Sequence, residues 1–111
     1  MTNGVTVTLR MYLKAEAVEG FCERLPAMLK ETATRPGFRE ILVVRHESDP
    51  AQVMIIQHWE SKEHHEQYMA WRASRGGQLI AEMLARQSEL DYWPRIVTRE
   101  RGAKESVLGE L

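Results

Sequence analysis

The strongest constraint on this chain is an alternation of residue character that ends abruptly. Over residues 5–13, VTVTLRMYL, the side chains Val5, Val7, Leu9, Met11 and Leu13 share one side. Thr6, Thr8, Arg10 and Tyr12 share the other. That period of two predicts a β-strand, and Tyr12 on the polar side predicts that both faces are partly covered. From residue 16 to 34 the period changes. Val18, Phe21, Cys22, Leu25, Met28 and Leu29 recur at steps of three and four, the stripe of an amphipathic helix. Glu16 and Glu19 suit the positive end of its dipole. Pro26 removes an amide donor and clashes with the preceding turn, which predicts a kink or a helix in two pieces. Arg35-Pro36-Gly37 ends the helix.

Residues 38–47 and 52–60 read as two strands joined by a turn at Asp49-Pro50-Ala51, hence an antiparallel hairpin. Ser61 has the character of an N-cap, followed by Glu63 in the first turn. A second helical region runs from Lys62 to about Gln87, interrupted at Gly76-Gly77. Residues 91–98, DYWPRIVT, give a last strand, which Pro94 assigns to a sheet edge or a bulge. The order strand, helix, strand, strand, helix, strand fits an α+β domain: an antiparallel sheet with both helices on one face. Large apolar residues on both phases of the strands predict that a second subunit covers the other face.

At 111 residues the chain holds one domain, placed at residues 1–98, followed by a tail at 99–111. The tail either frays or lies across a neighbouring subunit through Val107 and Leu108. Hydrophobic residues make up 43% and charged residues 28%, which excludes a wholly disordered chain. Fifteen basic against sixteen acidic residues leave no excess to neutralise phosphates, so nucleic acid is not expected as a partner. No apolar run approaches the roughly 20 residues of a membrane span, and the N-terminus lacks a signal-peptide pattern. With Cys22 as the single cysteine, no intrachain disulfide can form. Together these features predict a cytoplasmic protein with no membrane partner.

His65, Tyr68 and Arg72 fall on one helical face, at spacings of three and four. A base, a phenol and a fixed cation can together handle a phenolic substrate: the histidine takes the proton and the arginine holds the oxyanion. The same residues also fit a solvated face near the helix start, with Arg72 paired to Glu66 or another surface acid. His64 is adjacent to His65 and points elsewhere. His58 lies opposite Trp59 on its strand, toward the subunit interface, and His46 is exposed near a turn. Arg10 and Gln57 fit either polar pocket groups or salt-bridge partners on the sheet. Cys22, on an apolar stripe with no basic neighbour apparent, reads as a buried inert thiol. The histidines and acids lack any known metal-site spacing, so no metal is expected. No glycine-rich nucleotide fingerprint occurs, so no flavin or nicotinamide cofactor is expected either.

Trp59-Glu60-Ser61-Lys62-Glu63, at the end of the third predicted strand, resembles the "WES" signature of the antibiotic biosynthesis monooxygenase family. Arg35-Pro36-Gly37-Phe38 resembles its "PGF" junction, and Tyr68-x-x-Trp71-Arg72 followed by glycine is similar to a bacterial subgroup of quinol monooxygenases. The resemblance covers roughly residues 5–98. It implies a ferredoxin-like βαββαβ fold, two subunits packed sheet to sheet as a dimeric α+β barrel, and a pocket between sheet and helices. It places Trp59 at that pocket, where a planar substrate could stack, although a large core residue with a bonded indole N–H fits the same position. Haem-degrading members carry an asparagine in the first strand and a tryptophan and a histidine in the second helix. Here the first strand has none, Tyr68 stands at the tryptophan position, and Gly77, Gln78 and Leu79 occupy the histidine region. Haem chemistry is therefore not expected.

The expected function is a homodimeric, cofactor-independent monooxygenase that oxidises a phenolic, anthrone-like or quinol substrate to a quinone with dioxygen. His65, Tyr68 and Arg72 are its candidate catalytic residues. Trp59, Trp71, Gln57 and Arg10 are its candidate substrate-binding residues. The alternatives are a small-molecule-binding dimer without catalysis, and an isomerase or degradative enzyme of the same fold.

Overall fold

The computed structural model describes residues 4–102. Strand β1 (Val5–Leu13) is followed by a 3-10 turn at Ala15–Ala17 and helix α1 (Val18–Thr32). Strands β2 (Phe38–Arg45) and β3 (Gln52–Trp59) form the hairpin. Helices α2 (Lys62–Ala73) and α3 (Gly77–Glu82) precede the final strand β4 (Leu84–Trp93). The four strands make one sheet in the order β2-β3-β1-β4, with every neighbouring pair antiparallel. This is an α+β, ferredoxin-like fold.

Register decides which side chains meet the helices. β1 and β3 pair without irregularity from Val5 opposite Trp59 to Tyr12 opposite Gln52. Val5, Val7, Met11 and Leu13 therefore share a face with Val53, Gln57 and Trp59, and all seven are buried. At one end of this face Met11, Leu13 and Val53 pack on Phe21 of α1. At the other end Val5, Val7 and Trp59 pack on Phe38, Tyr68 and Tyr92. The opposite face carries Thr6, Arg10 and His58 together with exposed Leu42, Val44 and Trp93.

Two expectations change. α1 is a single helix through Pro26, which removes the alternative of a helix in two pieces. That residue is exposed, so the hydrogen bond it removes lies on the solvent side, where water substitutes for it. The helical region expected up to Gln87 stops at Glu82, and the last strand spans residues 84–93 instead of 91–98. Two register shifts against β1, between Arg10 and Tyr12 and between Tyr12 and Leu13, cause this misreading. Each inserts a residue into β4 and breaks its period of two. The half-buried positions Leu84, Ser88 and Tyr92 consequently recur every fourth residue, which imitates a helix. β4 is an edge strand, and Pro94 lies just beyond its end.

The interruption of the second helical region occurs at Gly76, whose φ of +89° is left-handed. Residues 94–102 have no regular structure. Val107 and Leu108, the expected tail anchors, lie outside the described residues. Among those described, no helix is long and apolar enough to cross a membrane.

Candidate functional site

Between the sheet and the three helices lies a cavity of about 240 Å³. The strands contribute Leu9, Met11, Ile41, Ile55 and Gln57 to it, and α1 contributes Phe21, Leu25, Met28, Leu29 and Thr32. Tyr68, Met69, Arg72 and Ala73 close it from α2, with Gly77 and Ile80 beyond. The lining is apolar except for Gln57, Thr32, Tyr68 and Arg72. A mostly apolar hollow with a few convergent polar groups is the usual form of a small-molecule site.

Arg72 ties the helix side of this cavity together. Its Nη1 meets Glu31 Oε1 at 2.8 Å, and its Nη2 donates to the Met28 carbonyl at 3.2 Å and to Thr32 Oγ1 at 3.1 Å. Its Nε donates to the Tyr68 hydroxyl at 3.3 Å. Thr32 gives its own proton to the Met28 carbonyl, so the Tyr68 proton goes to Thr32 Oγ1 at 3.0 Å. Burial works against the Arg72 charge. Hydrogen bonds to Glu31 and Tyr68 outweigh it and hold the guanidinium pKa above its ordinary value. The Arg72 bond in turn keeps the exposed Glu31 carboxyl below its usual range.

Trp59 is wholly buried and lies off the cavity wall. Its ring centroid is 5.0 Å from Tyr68, with Phe38 and His65 edge-on at 5.5 and 5.7 Å. Its indole N–H donates to Gln57 Oε1 at 2.9 Å. The expectation that Trp59 stacks directly on a substrate therefore gives way to an indole one layer behind the wall, covered by Tyr68 and Gln57.

His65 also lies off the wall. It is fully buried, and its Nδ1 is 2.8 Å from the Tyr92 hydroxyl, while its Nε2 is buried without a partner. Desolvation pushes its pKa down to about 4, so the ring is neutral at pH 7. Burial, with a contribution from Glu66, raises that of Tyr92. His65 and Arg72 share a helical face, but seven residues separate them by roughly 10 Å along the axis. The cavity occupies only the Arg72 end of that stretch.

Trp71 also stands away from the cavity, ringed by the guanidinium groups of Arg35, Arg72 and Arg75 at 4.3, 4.9 and 5.0 Å. Arg10 lies on the opposite sheet face, 3.8 Å from Glu89. The surface acid paired with Arg72 is Glu31 of α1 and not Glu66. His64 bonds to the N-cap Ser61 at 2.7 Å and packs against Gly37. His58 meets Thr6 at 3.0 Å and Glu40 at 3.6 Å on the opposite sheet face. His46 accepts from the Ser48 amide. Cys22 does have a basic neighbour: Arg45 Nη2 is 2.8 Å from its sulfur. Cys22 on α1 and Arg45 at the end of β2 are 23 positions apart, which hid that contact from a linear reading. Among the described residues no group of three His, Cys, Asp or Glu side chains could hold a metal ion.

One further residue shapes the site, Thr32, at the centre of the Arg72 network, while Tyr92 stands off the cavity with its partner His65. Extending the α1 stripe from Phe21, Leu25 and Met28 by one more step reaches Thr32. No sequence signal joins Tyr92 to His65, because the pairing depends on the register of β4.

The sequence matches the model of the antibiotic biosynthesis monooxygenase family over residues 4–78. That is more than half of the chain, so the protein belongs to this family. No match was found among curated proteins. Several solved structures share the fold. A conserved protein from Methanosarcina mazei Go1 is 17% identical, with a TM-score of 0.76 over 84% of this chain and 93% of its own. An antibiotic biosynthesis monooxygenase is 15% identical, with a TM-score of 0.74 over 83% and 98%. SnoaB from Streptomyces nogalater, described as a cofactor-independent oxygenase, is 16% identical, with a TM-score of 0.73 over 86% and 96%.

Proposed function

We propose that this protein is a cofactor-independent monooxygenase that oxidises a phenolic or quinol substrate to a quinone in the cavity between sheet and helices. The observation that carries the reading is the apolar hollow closed by Gln57, Tyr68, Thr32 and the part-buried, charged Arg72. Family membership and the description of SnoaB support the reaction class. A volume of about 240 Å³ falls just below the roughly 300–1,000 Å³ of common ligand pockets and favours one or two rings over an anthrone-like tricycle.

In this proposal Arg72 stabilises the phenolate form of the substrate, and the apolar lining keeps water from weakening that attraction. The phenolate passes one electron to dioxygen. Superoxide and the substrate radical then combine at a ring carbon, forming a C–O bond. Loss of the ring hydrogen with O–O cleavage gives the quinone, and the second oxygen atom leaves as water with two substrate hydrogens. The exposed apolar face carrying Leu42, Val44 and Trp93 supports a homodimer packed sheet to sheet.

The test is turnover of small phenols and quinols such as menadiol, with and without air, against a protein-free control. One dioxygen consumed per product, with one labelled oxygen atom retained, is the expected result: the label appears in the quinone made from a phenol and in the hydroxyquinone made from a quinol, whose own two oxygens already occupy the quinone positions. A second reading, a binding dimer without turnover, draws on one observation: His65 stands off the cavity wall and leaves no ordinary base there. Saturable binding with no dioxygen uptake would establish it in place of the first.

A further inference from the structure

We propose that Trp59 is a positioning residue that fixes which end of the Gln57 amide the cavity presents. The floor of the cavity thereby becomes a hydrogen-bond donor site for an oxygen acceptor, a carbonyl or phenolate, on an otherwise apolar ligand. The inference rests on the reading of this cavity as the substrate site.

Gln57 interrupts an aliphatic floor made by Leu9, Met11, Ile41 and Ile55. Its residue is only 3% exposed, so its amide cannot be satisfied by bulk water. The one described hydrogen bond to its side chain comes from the Trp59 indole. An indole N–H can only donate, so the amide atom facing it must be the oxygen. The amide orientation thus follows from the chemistry of the neighbour. Trp59 cannot turn away, because it is fully buried between Tyr68, Phe38 and His65. With Oε1 engaged by the indole, Gln57 offers a ligand chiefly the two N–H donors of Nε2. On the facing wall the Tyr68 and Thr32 protons are already directed at Thr32 and the Met28 carbonyl. Gln57 is therefore the group with uncommitted protons on the sheet side. A ligand lacking an acceptor would leave those protons unpaired in an apolar hollow, which is the situation that gives a binding site its selectivity.

The experiment compares 1-indanone with indane, two unreactive bicycles that differ by one carbonyl, using ligand-observed NMR titration of the full chain. Wild type is expected to bind 1-indanone about three- to tenfold more tightly than indane. Gln57→Leu should abolish that preference while binding indane at least as well. Trp59→Phe, at a residue that does not line the cavity, should reduce the preference by freeing the amide to flip. The Gln57 side-chain amide resonances should shift with 1-indanone and not with indane, a readout that a purely structural role would not move. Equal binding of the two ligands to wild type, or a preference surviving in Gln57→Leu, overturns the proposal. An undiminished preference in a folded Trp59→Phe overturns the positioning role of Trp59; if that variant does not fold, the wild-type indole N–H resonance decides, since it should keep its hydrogen-bonded shift when 1-indanone binds, and its loss of that shift would overturn the role. Wild type binding neither ligand overturns the cavity reading and this proposal with it. No dioxygen chemistry enters the measurement, so a failure of oxidation leaves its result standing.

Discussion

The Nδ1 atom of His65 lies 2.8 Å from the hydroxyl of Tyr92, while its Nε2 is buried with no partner. Only one tautomer suits this arrangement. If Tyr92 donated to Nδ1, the proton would sit on Nε2 as a buried unsatisfied donor, at a cost of about 1–3 kcal/mol. A proton on Nδ1 donates to Tyr92 and leaves a bare lone pair among aromatic rings, the smaller penalty. Long-range 1H–15N correlation spectra should therefore show His65 as the Nδ1–H tautomer. An Nε2–H pattern would reverse the donor and acceptor at this bond.

The same burial makes stability depend on pH. The folded-state pKa of His65 is about 4, against an ordinary value of 6.5. Between those values the unfolded chain binds a proton that the folded chain refuses, so stability falls as pH drops from about 6.5 toward 4 and levels off below. In thermal melts over this range His65→Phe should flatten the slope relative to wild type. An unchanged slope would assign it to other groups.

Much of the architecture was legible because β1 keeps a clean alternation and α1 a clean stripe from Val18 to Leu29, while the turn residues Asp49-Pro50-Ala51 separate the apolar runs of β2 and β3. β4 was misread because its two bulges replace alternation with a four-residue recurrence at Leu84, Ser88 and Tyr92. In the site, helical spacing correctly grouped Tyr68 with Arg72. It failed for His65 because spacing gives the direction of a side chain around the helix axis and says nothing of where along that axis a hollow begins and ends. Trp59 shows a related limit: strand phase gives its face, but only packing shows that Tyr68 and Gln57 stand in front of it.

Gly37 adopts φ +80°, and a Cβ built there would run into the His64 ring. Gly37→Ala should destabilise the fold by about 2 kcal/mol or more, from left-handed backbone strain added to the clash. Adding His64→Ala should recover only the steric part. Chemical denaturation of the two single variants and the double variant measures both contributions. Full recovery would mean that backbone strain is negligible.

If the face carrying Leu42 and Val44 joins two subunits, a charge there must be desolvated on association. Leu42 is 54% exposed in the single chain, so Leu42→Asp should leave the monomer fold intact. Light scattering after size exclusion should find wild type at twice the chain mass and Leu42→Asp at one. A monomeric wild type would remove the barrel from the proposed function.

If Arg72 serves both the fold and an anionic ligand, two substitutions separate these roles. Its side chain is 13% exposed and bonded to Glu31, Tyr68, Thr32 and the Met28 carbonyl. Arg72→Ala strips partners from several part-buried groups at once and should cost about 2–4 kcal/mol. Glu31→Gln should change stability far less, because Glu31 is half exposed and solvent screens its pairing. Arg72→Lys keeps a positive charge but cannot reproduce the fork of the guanidinium, so stability should drop while an anionic ligand is still attracted. Titration with 4-nitrophenol, whose hydroxyl ionises near neutral pH, reads that attraction directly. Wild type and Arg72→Lys should bind the phenolate at pH 8 more tightly than the phenol at pH 6, and Arg72→Ala should lose or invert that order. A wild type indifferent to the ionisation of the ligand would mean that Glu31 neutralises Arg72 so fully that the cavity feels no charge, and phenolate stabilisation would have to come from the amide of Gln57.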